Sequence, residues 1–225
     1  QCAVGPFVLR RLKSEVLADL PEKTESVVMA QMGPKQKKLY LAHQDRIALQ
    51  VQHMVRAGDP SGLGREKLKV LAELTRLRQI CCDPRLCIEG YQDGSAKLEI
   101  CLELVSQAVD AGHKVLVFSQ FASMLDLLAA RLSGAHLSYF QLTGQTSKEA
   151  RERLVRRFQE GEADVFLVSL KAGGVGLNLT AADVVIHYDP WWNVAAQDQA
   201  TDRAYRIGQR RDVTVFKLIC EGTVE

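Results

Sequence analysis

The stretch Val165-Phe-Leu-Val-Ser-Leu-Lys-Ala-Gly-Gly-Val-Gly-Leu-Asn-Leu-Thr180 joins a short apolar run to a segment with three glycines. The apolar run predicts a strand that is buried on both faces. Glycines after such a strand expose backbone N–H groups where an α/β fold places its ligand-binding loops. They also fit simple turn chemistry, so the stretch predicts an α/β fold and leaves the loop's function open.

Residues 115–218 repeat this alternation of apolar runs and helical patterns. Further strands are predicted at Val115–Phe118, Leu137–Leu142, Val184–Ile186 and Val213–Leu218. Helices are predicted at Phe121–Leu132, Ser147–Gln159 and Val194–Arg206, with Ser147 as an N-cap and Gly134 and Gly161 as C-terminal stops. Strand and helix in alternation predict a doubly wound α/β domain with a mostly parallel sheet.

The N-terminal part has a different pattern. A helix is predicted from Gly33-Pro34 to Arg56, Gly58–Gly64 interrupts it, and a second helix follows from Arg65 to about Ile80. We therefore predict three segments: a connector at 1–24, a helical module at 25–92, and an α/β domain at 93–225 that opens with a helix from Ser95 to about Asp110.

Composition excludes several classes of protein. The chain has 225 residues, 47% of them hydrophobic, which is enough for one large domain or two small ones. It contains neither a run of eighteen apolar residues nor the N-terminal pattern of a signal peptide, so neither a membrane span nor export is predicted. Because Gln1 is not a start methionine and the chain stops abruptly at Glu225, we expect a piece of a longer polypeptide.

Cysteine spacing and charge give little information about metal sites or partners. The six cysteines show no C-x-x-C spacing and the five histidines are scattered, so we predict reduced thiols and no metal site. Residues 1–92 hold 15 Lys and Arg against 10 Asp and Glu, and residues 93–225 hold 14 against 17. The basic N-terminal part is compatible with a polyanionic partner but does not require one.

Two further motifs suggest chemistry. Gln199-Ala-Thr-Asp-Arg203-Ala-Tyr-Arg206-Ile-Gly208-Gln209 sets two arginines three residues apart, which on a helix directs both guanidiniums the same way. Such a pair suits the charge of a transferring phosphoryl group, although a solvated helix face has the same spacing. In Asp189-Pro190-Trp191-Trp192-Asn193, we expect one tryptophan to cover the core and the other to contact nucleic acid.

The chain lacks the other half of a nucleotide site. It has no G-x-x-x-x-G-K-[ST] phosphate loop, and no Asp-Glu pair follows a strand in the way that magnesium binding requires. The sequence therefore predicts a half-site for a nucleotide.

Five motifs in order resemble those of superfamily 2 helicases, and more narrowly of Swi/Snf-type ATP-dependent DNA translocases. They are Val115–Phe121, Leu142–Thr146, Ser169–Thr180, Asp189–Asn193 and Gln199–Gln209. Two upstream blocks match the same family: Phe7–Lys13 with Leu20–Thr24, and Leu77–Leu86. The double tryptophan together with Ala200-Thr-Asp-Arg203 resembles the motifs of bacterial members.

The resemblance implies a second RecA-like motor lobe at 93–225, a helical protrusion at 25–92 and an inter-lobe linker at 1–24. It implies ATP with Mg, bound mainly by a first lobe that is absent here, with Arg203, Arg206 and Gln199 in catalysis and Gly176 and Asn178 at the nucleotide. The residues that the resemblance implies at the backbone of double-stranded DNA are Ser119, Gln120, Gly144, Thr146, Lys171, Gly173 and Trp192.

The implied partners are duplex DNA, the first RecA-like lobe of the same polypeptide and a DNA-bound protein such as RNA polymerase, with no membrane. The implied location is the bacterial nucleoid, or the nucleus in a eukaryote. Two positions depart from the family: Val194 replaces a common proline, which loosens the predicted turn, and Leu170 replaces a common threonine. A non-catalytic interaction module with inherited motifs, or a strand-separating RNA helicase, stays an alternative.

Overall fold

A computed structural model describes residues 20–57, 63–173 and 176–225. The first nineteen residues of the predicted linker, including the block Phe7–Lys13, and most of the predicted break at Gly58–Gly64 lie outside the described residues. No helix in the described ranges is long and apolar enough to cross a bilayer.

Six strands form one parallel sheet, which confirms the predicted α/β class. They are β1 (Lys23–Ala30), β2 (Val115–Ser119), β3 (Tyr139–Leu142), β4 (Val165–Ser169), β5 (Val184–His187) and β6 (Val213–Cys220). Their order across the sheet is β1-β6-β5-β2-β4-β3, and each of the five neighbouring pairs runs parallel. The central strands β2 and β4 are buried along their whole length, as apolar runs between two layers of helices require.

In the part of the chain that the structure describes, seven α-helices connect or flank the strands. They are α1 (Pro34–Ala57), α2 (Leu63–Cys82), α3 (Ala96–Asp110), α4 (Ala122–Gly134), α5 (Lys148–Gln159), the short α6 (Leu170–Gly173) and α7 (Val194–Thr201). The predicted N-cap is confirmed, because the Ser147 hydroxyl accepts a hydrogen bond from the Ala150 N–H. Gly161 follows α5 with a φ of 90°, the left-handed conformation that favours glycine at a helix end.

The strand β1 was not predicted. It lies across the boundary between the predicted linker and the predicted helical protrusion, and it pairs with β6 from Lys23↔Val213 to Ala30↔Cys220. Its residues are mostly exposed. It contains the apolar run Val27-Val-Met-Ala30, but its first half, Lys23-Thr-Glu-Ser26, is polar and does not show the pattern of a buried strand. Glu25 instead forms ion pairs with Lys23 at 2.7 Å and Lys217 at 2.6 Å, and hydrogen bonds from these two lysines lower the pKa of Glu25 to about 2. The other limits of the three segments stay a prediction.

The sheet has a core on each face because its side chains alternate. Val117 and Leu167 pack with α3 and α4 on one face, whereas Phe118 and Phe166 pack with α5 on the other. Each fully buried side chain of this size contributes about 1.5–3 kcal/mol. A third cluster, which includes Tyr40, Ile80 and Cys220, fixes α1 and α2 against the β1–β6 edge.

His187, at the end of β5, is fully buried. Its ring stacks on Phe118 at 5.6 Å between centroids, and its Nε2 lies 2.8 Å from the Thr201 hydroxyl. Burial, with a smaller contribution from the positive charge of Lys217, lowers the pKa of His187 from 6.5 to about 4. The folded chain therefore holds this histidine neutral.

We expect stability to fall as the pH drops from 7 to 5. The unfolded chain protonates His187 near pH 6.5, whereas the folded chain resists protonation until about pH 4, so protons favour the unfolded state in this window. The contribution of His187 is a loss of about 2 kcal/mol in the free energy of unfolding. Urea unfolding at both pH values measures it.

The His187→Gln variant should lose this part of the pH dependence, and the control His53→Gln, on an exposed position of α1, should keep it. An unchanged dependence in His187→Gln would contradict the neutral buried state.

Candidate functional site

The predicted site residues gather at the carboxyl edge of the sheet. Because the strands are parallel, the loops after β2, β3, β4 and β5 leave from this one edge, where α/β folds bind ligands. These loops or strand ends carry all the residues that were predicted at DNA: Ser119 and Gln120, Gly144 and Thr146, Lys171 and Gly173, and Trp192.

The two arginines lie beyond the helix that was expected to hold them. The helix α7 ends at Thr201, so Arg203 and Arg206 occupy the turns that follow, and the argument from helical spacing is wrong. The side chain of Arg203 is nevertheless buried, with 8% exposed, and Arg206 is half-buried. Burial lowers the pKa of Arg203, and the nearby charge of Arg206 lowers it further. Two cations held together in this way suit an anionic ligand.

Hydrogen bonds join the arginine segment to the glycine segment. The Leu179 N–H donates to the Arg203 carbonyl at 2.9 Å, and the Arg206 guanidinium donates to the Leu177 carbonyl at 3.4 Å. The two residues predicted at the nucleotide, Gly176 and Asn178, are exposed beside these bonds, and Gly176 has a φ of 41°. The structure thus brings together four of the five residues predicted for the nucleotide.

Gln199, the fifth, lies on the exposed face of α7. A cavity of about 520 Å³ separates Gly176 and Asn178 from α5, which contributes Lys148, Arg151 and Arg156 to its lining. Sequence reasoning did not select these three cations, because only the fold brings α5 against the glycine segment.

Gln209 holds this site together, although no role was predicted for its side chain. Its Nε2 lies 2.8 Å from the Ala182 carbonyl and 3.2 Å from each of the Thr180 and Ala204 carbonyls. Its Oε1 accepts from the backbone N–H groups of Arg210 at 2.8 Å and Arg211 at 2.9 Å. One buried amide therefore fixes the path of the chain on both sides of the arginines.

The loop after β2 is anchored by a buried acid. Asp189 accepts hydrogen bonds from the Gln120 N–H at 3.2 and 3.3 Å. Burial raises the pKa of Asp189, and hydrogen bonds from Ser119 and Gln120 oppose the rise. Ser119 is itself buried, and its hydroxyl accepts from the Phe121 N–H at 3.1 Å. The Ser119 side chain is thus engaged within the protein.

A second cavity, of about 530 Å³, opens between the loops after β2 and β3. Gln120 and Gly144 line it, together with Ser169 at the end of β4. Gly144 is exposed, whereas the Thr146 hydroxyl accepts from the Thr143 N–H at 3.1 Å and shapes the turn. Lys171 and Gly173 lie in α6, directly after β4.

The two adjacent tryptophans have different surroundings. Trp192 is 60% exposed. Trp191 is half-buried, and its backbone N–H donates to the side-chain oxygen of Gln197 at 3.2 Å. Asn193 caps α7 by accepting from the Ala196 N–H at 3.3 Å, so the helix begins at Val194 without the family's proline. The exposed Trp192 is the one available to a ligand.

Three residues with metal-binding side chains meet elsewhere. Ligand atoms of Cys81, Cys220 and Glu225 lie within 4.8 Å of one another, a grouping that the cysteine spacing did not predict. However, the carboxylate of Glu225 is hydrogen-bonded to the ammonium of Lys97 in a fully buried ion pair. A hydrogen bond with Cys220 and burial raise the pKa of Cys81, which disfavours the thiolate that a metal needs. We assign no metal to this cluster.

Two family descriptions match the chain. "Helicase conserved C-terminal domain" matches residues 96–208, half of the chain, and "SNF2-related domain" matches residues 2–86. The chain belongs to the Swi/Snf-type helicases of superfamily 2. Its parallel sheet with flanking helices is the RecA-like C-terminal lobe of that family.

Similar proteins support this assignment. YwqA of Bacillus subtilis, named as a candidate ATP-dependent helicase/translocase, is 41% identical over 233 residues, which cover 100% of this chain and 24% of that protein. An uncharacterized ATP-dependent helicase of Mycoplasma pneumoniae is 37% identical and covers 98% of this chain and 21% of its own length. The chain thus spans about a fifth to a quarter of the curated relatives that it matches.

Solved structures of Swi/Snf-type ATPases have the same fold. The Sulfolobus solfataricus SWI2/SNF2 ATPase core in complex with double-stranded DNA has a TM-score of 0.74 and 34% identity, covering 99% of this chain and 46% of that one. The C-terminal domain of the Sulfolobus ATPase has a TM-score of 0.73 and 29% identity, covering 91% of this chain and 82% of that one.

We expect Gln209→Ala to lower the free energy of unfolding by about 2–3 kcal/mol, because it removes the partner of the buried Ala182 and Ala204 carbonyls and of two partly buried N–H groups. Urea unfolding measures the change. The exposed Gln107→Ala on α3 is the control and should stay within about 0.5 kcal/mol of wild type. Equal stability of the two variants would show that the Gln209 amide is dispensable.

Proposed function

We propose that this Swi/Snf-type lobe is the second half of a DNA-dependent ATPase that moves along double-stranded DNA without necessarily separating the strands. The observation that carries the proposal is the joining of the Arg203–Arg206 segment to the Gly176–Asn178 segment by hydrogen bonds. These bonds hold the arginine segment beside the exposed residues Gly176 and Asn178, in a sequence that has no phosphate loop of its own.

The two arginines act as arginine fingers on ATP held by the first lobe. Their side chains would stabilise negative charge that develops on the transferring phosphoryl group, an electrostatic role that requires no proton transfer. Gly176 and Asn178 face the nucleotide, and Gln199 contacts the first lobe from the exposed face of α7. Mg with ATP neutralises phosphate charge in this class of reaction, and its ligands belong to the first lobe.

The loops at the carboxyl edge follow one strand of the DNA through its phosphates. Gln120, Gly144, Thr146, Lys171, Gly173 and Trp192 make these contacts, and Ser119 holds the turn that presents Gln120. Contacts to the backbone imply little sequence preference and a strong dependence on salt. The Sulfolobus ATPase core, solved with double-stranded DNA, supports a duplex as the substrate.

The partners of the intact protein follow from this role. They are the first RecA-like lobe of the same polypeptide, duplex DNA and a DNA-bound protein, such as RNA polymerase, that the motor displaces. The protein would then act at the nucleoid or, in a eukaryote, in the nucleus.

In the intact protein, Arg206→Ala should lower DNA-stimulated ATP hydrolysis by about 1,000-fold or more. ATP affinity should largely survive, because the first lobe holds most of the nucleotide. Steady-state turnover and equilibrium ATP binding measure the two quantities. Arg210→Ala, an exposed arginine four residues later, is the matched control. Near-normal turnover in Arg206→Ala would refute the finger assignment.

Replacing Lys171 and Trp192 together with alanine should weaken the binding of duplex DNA by about tenfold or more at low salt. Loss of one phosphate contact at Lys171 should also reduce the slope of log affinity against log salt by about 1. Binding titrations over a range of salt concentrations measure both effects. Lys35→Ala, whose side chain pairs with Asp93 on the surface, is the control. An unchanged slope would argue that these residues only pack.

A further inference from the structure

Arg78 connects the helical protrusion to the DNA-facing edge. It lies near the end of α2, and only 8% of its surface is exposed. Its Nη1 donates to the Gln120 side-chain oxygen at 2.8 Å, and its Nη2 donates to the Pro190 carbonyl. The centre of its guanidinium lies 5.0 Å from the centroid of the Trp192 ring. One buried side chain thus contacts both loops that hold Gln120 and Trp192.

Ion pairing does not explain this burial. Among the described residues, no carboxylate oxygen lies within 4.0 Å of a nitrogen of Arg78. An amide oxygen, a carbonyl and an aromatic face surround the charge instead. Desolvating a cation without an anion costs free energy, which the cation–π contact and the two hydrogen bonds offset only in part.

The cluster also has an unused hydrogen-bond donor. The Nε of Arg78 is buried and has no acceptor within the described part of the chain. Arg78 fixes the orientation of the Gln120 amide by taking its oxygen, which leaves the NH2 group on the other side. The hydrogen bonds that Arg78 does make are both to the loops that carry Gln120 and Trp192.

We propose that Arg78 is a positioning residue that holds Gln120 and Trp192 in the arrangement that contacts the DNA backbone; the inference rests on the proposed function of these two residues. The planar guanidinium donates in two directions while its face covers the Trp192 ring, which an ammonium group does not reproduce. Holding the loops before DNA arrives removes part of the ordering cost of binding.

The test uses the intact protein and a duplex of mixed sequence at low salt. Arg78→Met should weaken DNA binding about 5- to 10-fold. Arg78→Lys keeps the positive charge but loses the planar guanidinium that donates in two directions. Its affinity for DNA should therefore lie between those of Arg78→Met and wild type. Arg76→Met is the matched control, because Arg76 lies on the same helix with 53% of its side chain exposed and pairs only weakly with Glu73, at 3.9 Å. It should bind DNA like wild type.

Two further measurements separate positioning from general damage to the fold. Hydrogen exchange without DNA should accelerate in the loop at 189–193 in Arg78→Met and stay unchanged in the strands of the sheet. In a protein that already carries Gln120→Ala and Trp192→Ala, adding Arg78→Met should weaken DNA binding no further.

The outcomes distinguish this inference from the proposed function. If Gln120→Ala with Trp192→Ala leaves DNA binding intact, the proposed DNA surface is wrong and the inference falls with it. If that double variant weakens binding but Arg78→Met does not, only the inference is overturned. It is also overturned if Arg78→Met weakens binding equally with and without the two alanines, or if exchange at 189–193 is unchanged.

Discussion

Parallel pairing of all six strands is the constraint on which the site depends. It brings the loops after β2, β3, β4 and β5 to one edge, although these strands are separated by up to 69 positions between Val115 and Val184 in their paired register. The buried central strands leave no freedom to shift this register, because a slip of one residue would turn every core side chain to the opposite face. The position of each loop is therefore fixed by the hydrophobic core.

Two different polar side chains, Gln209 and Asp189, stabilise the two parts of the carboxyl edge of the sheet. Beside the glycine segment proposed to face the nucleotide, the neutral amide of Gln209 fixes the backbone on both sides of the two arginines without adding a negative charge. At the loops proposed to contact DNA, the buried side chain of Asp189 holds the turn at Gln120. Both side chains satisfy backbone groups that would otherwise be costly to bury.

The helical protrusion belongs structurally to the edge of the sheet. The hydroxyl of Tyr188, directly after β5, donates to the Cys82 carbonyl at the end of α2 at 2.9 Å. The Ser95 hydroxyl donates to the same carbonyl at 2.7 Å. These buried bonds set the end of α2 against the loop that carries the tryptophans. Arg78 lies at the same end of the helix. A displacement of α2 would therefore shift the contacts of Arg78 with Gln120 and Trp192.

The sequence by itself determined the fold class, five of the six strands and the motifs that identify the family. It could do so because buried parallel strands are continuous apolar runs and because glycines and caps mark where elements end. The tertiary structure decided the rest. The strand β1 is stabilised by its ladder with β6 and by ion pairs of Glu25, and the arginines lie in turns beyond α7. Gln209 and Arg78 form hydrogen bonds with residues far away in the sequence, Ala182 for Gln209 and Gln120 for Arg78. Such contacts depend on distances in space, which the order of residues along the chain does not contain.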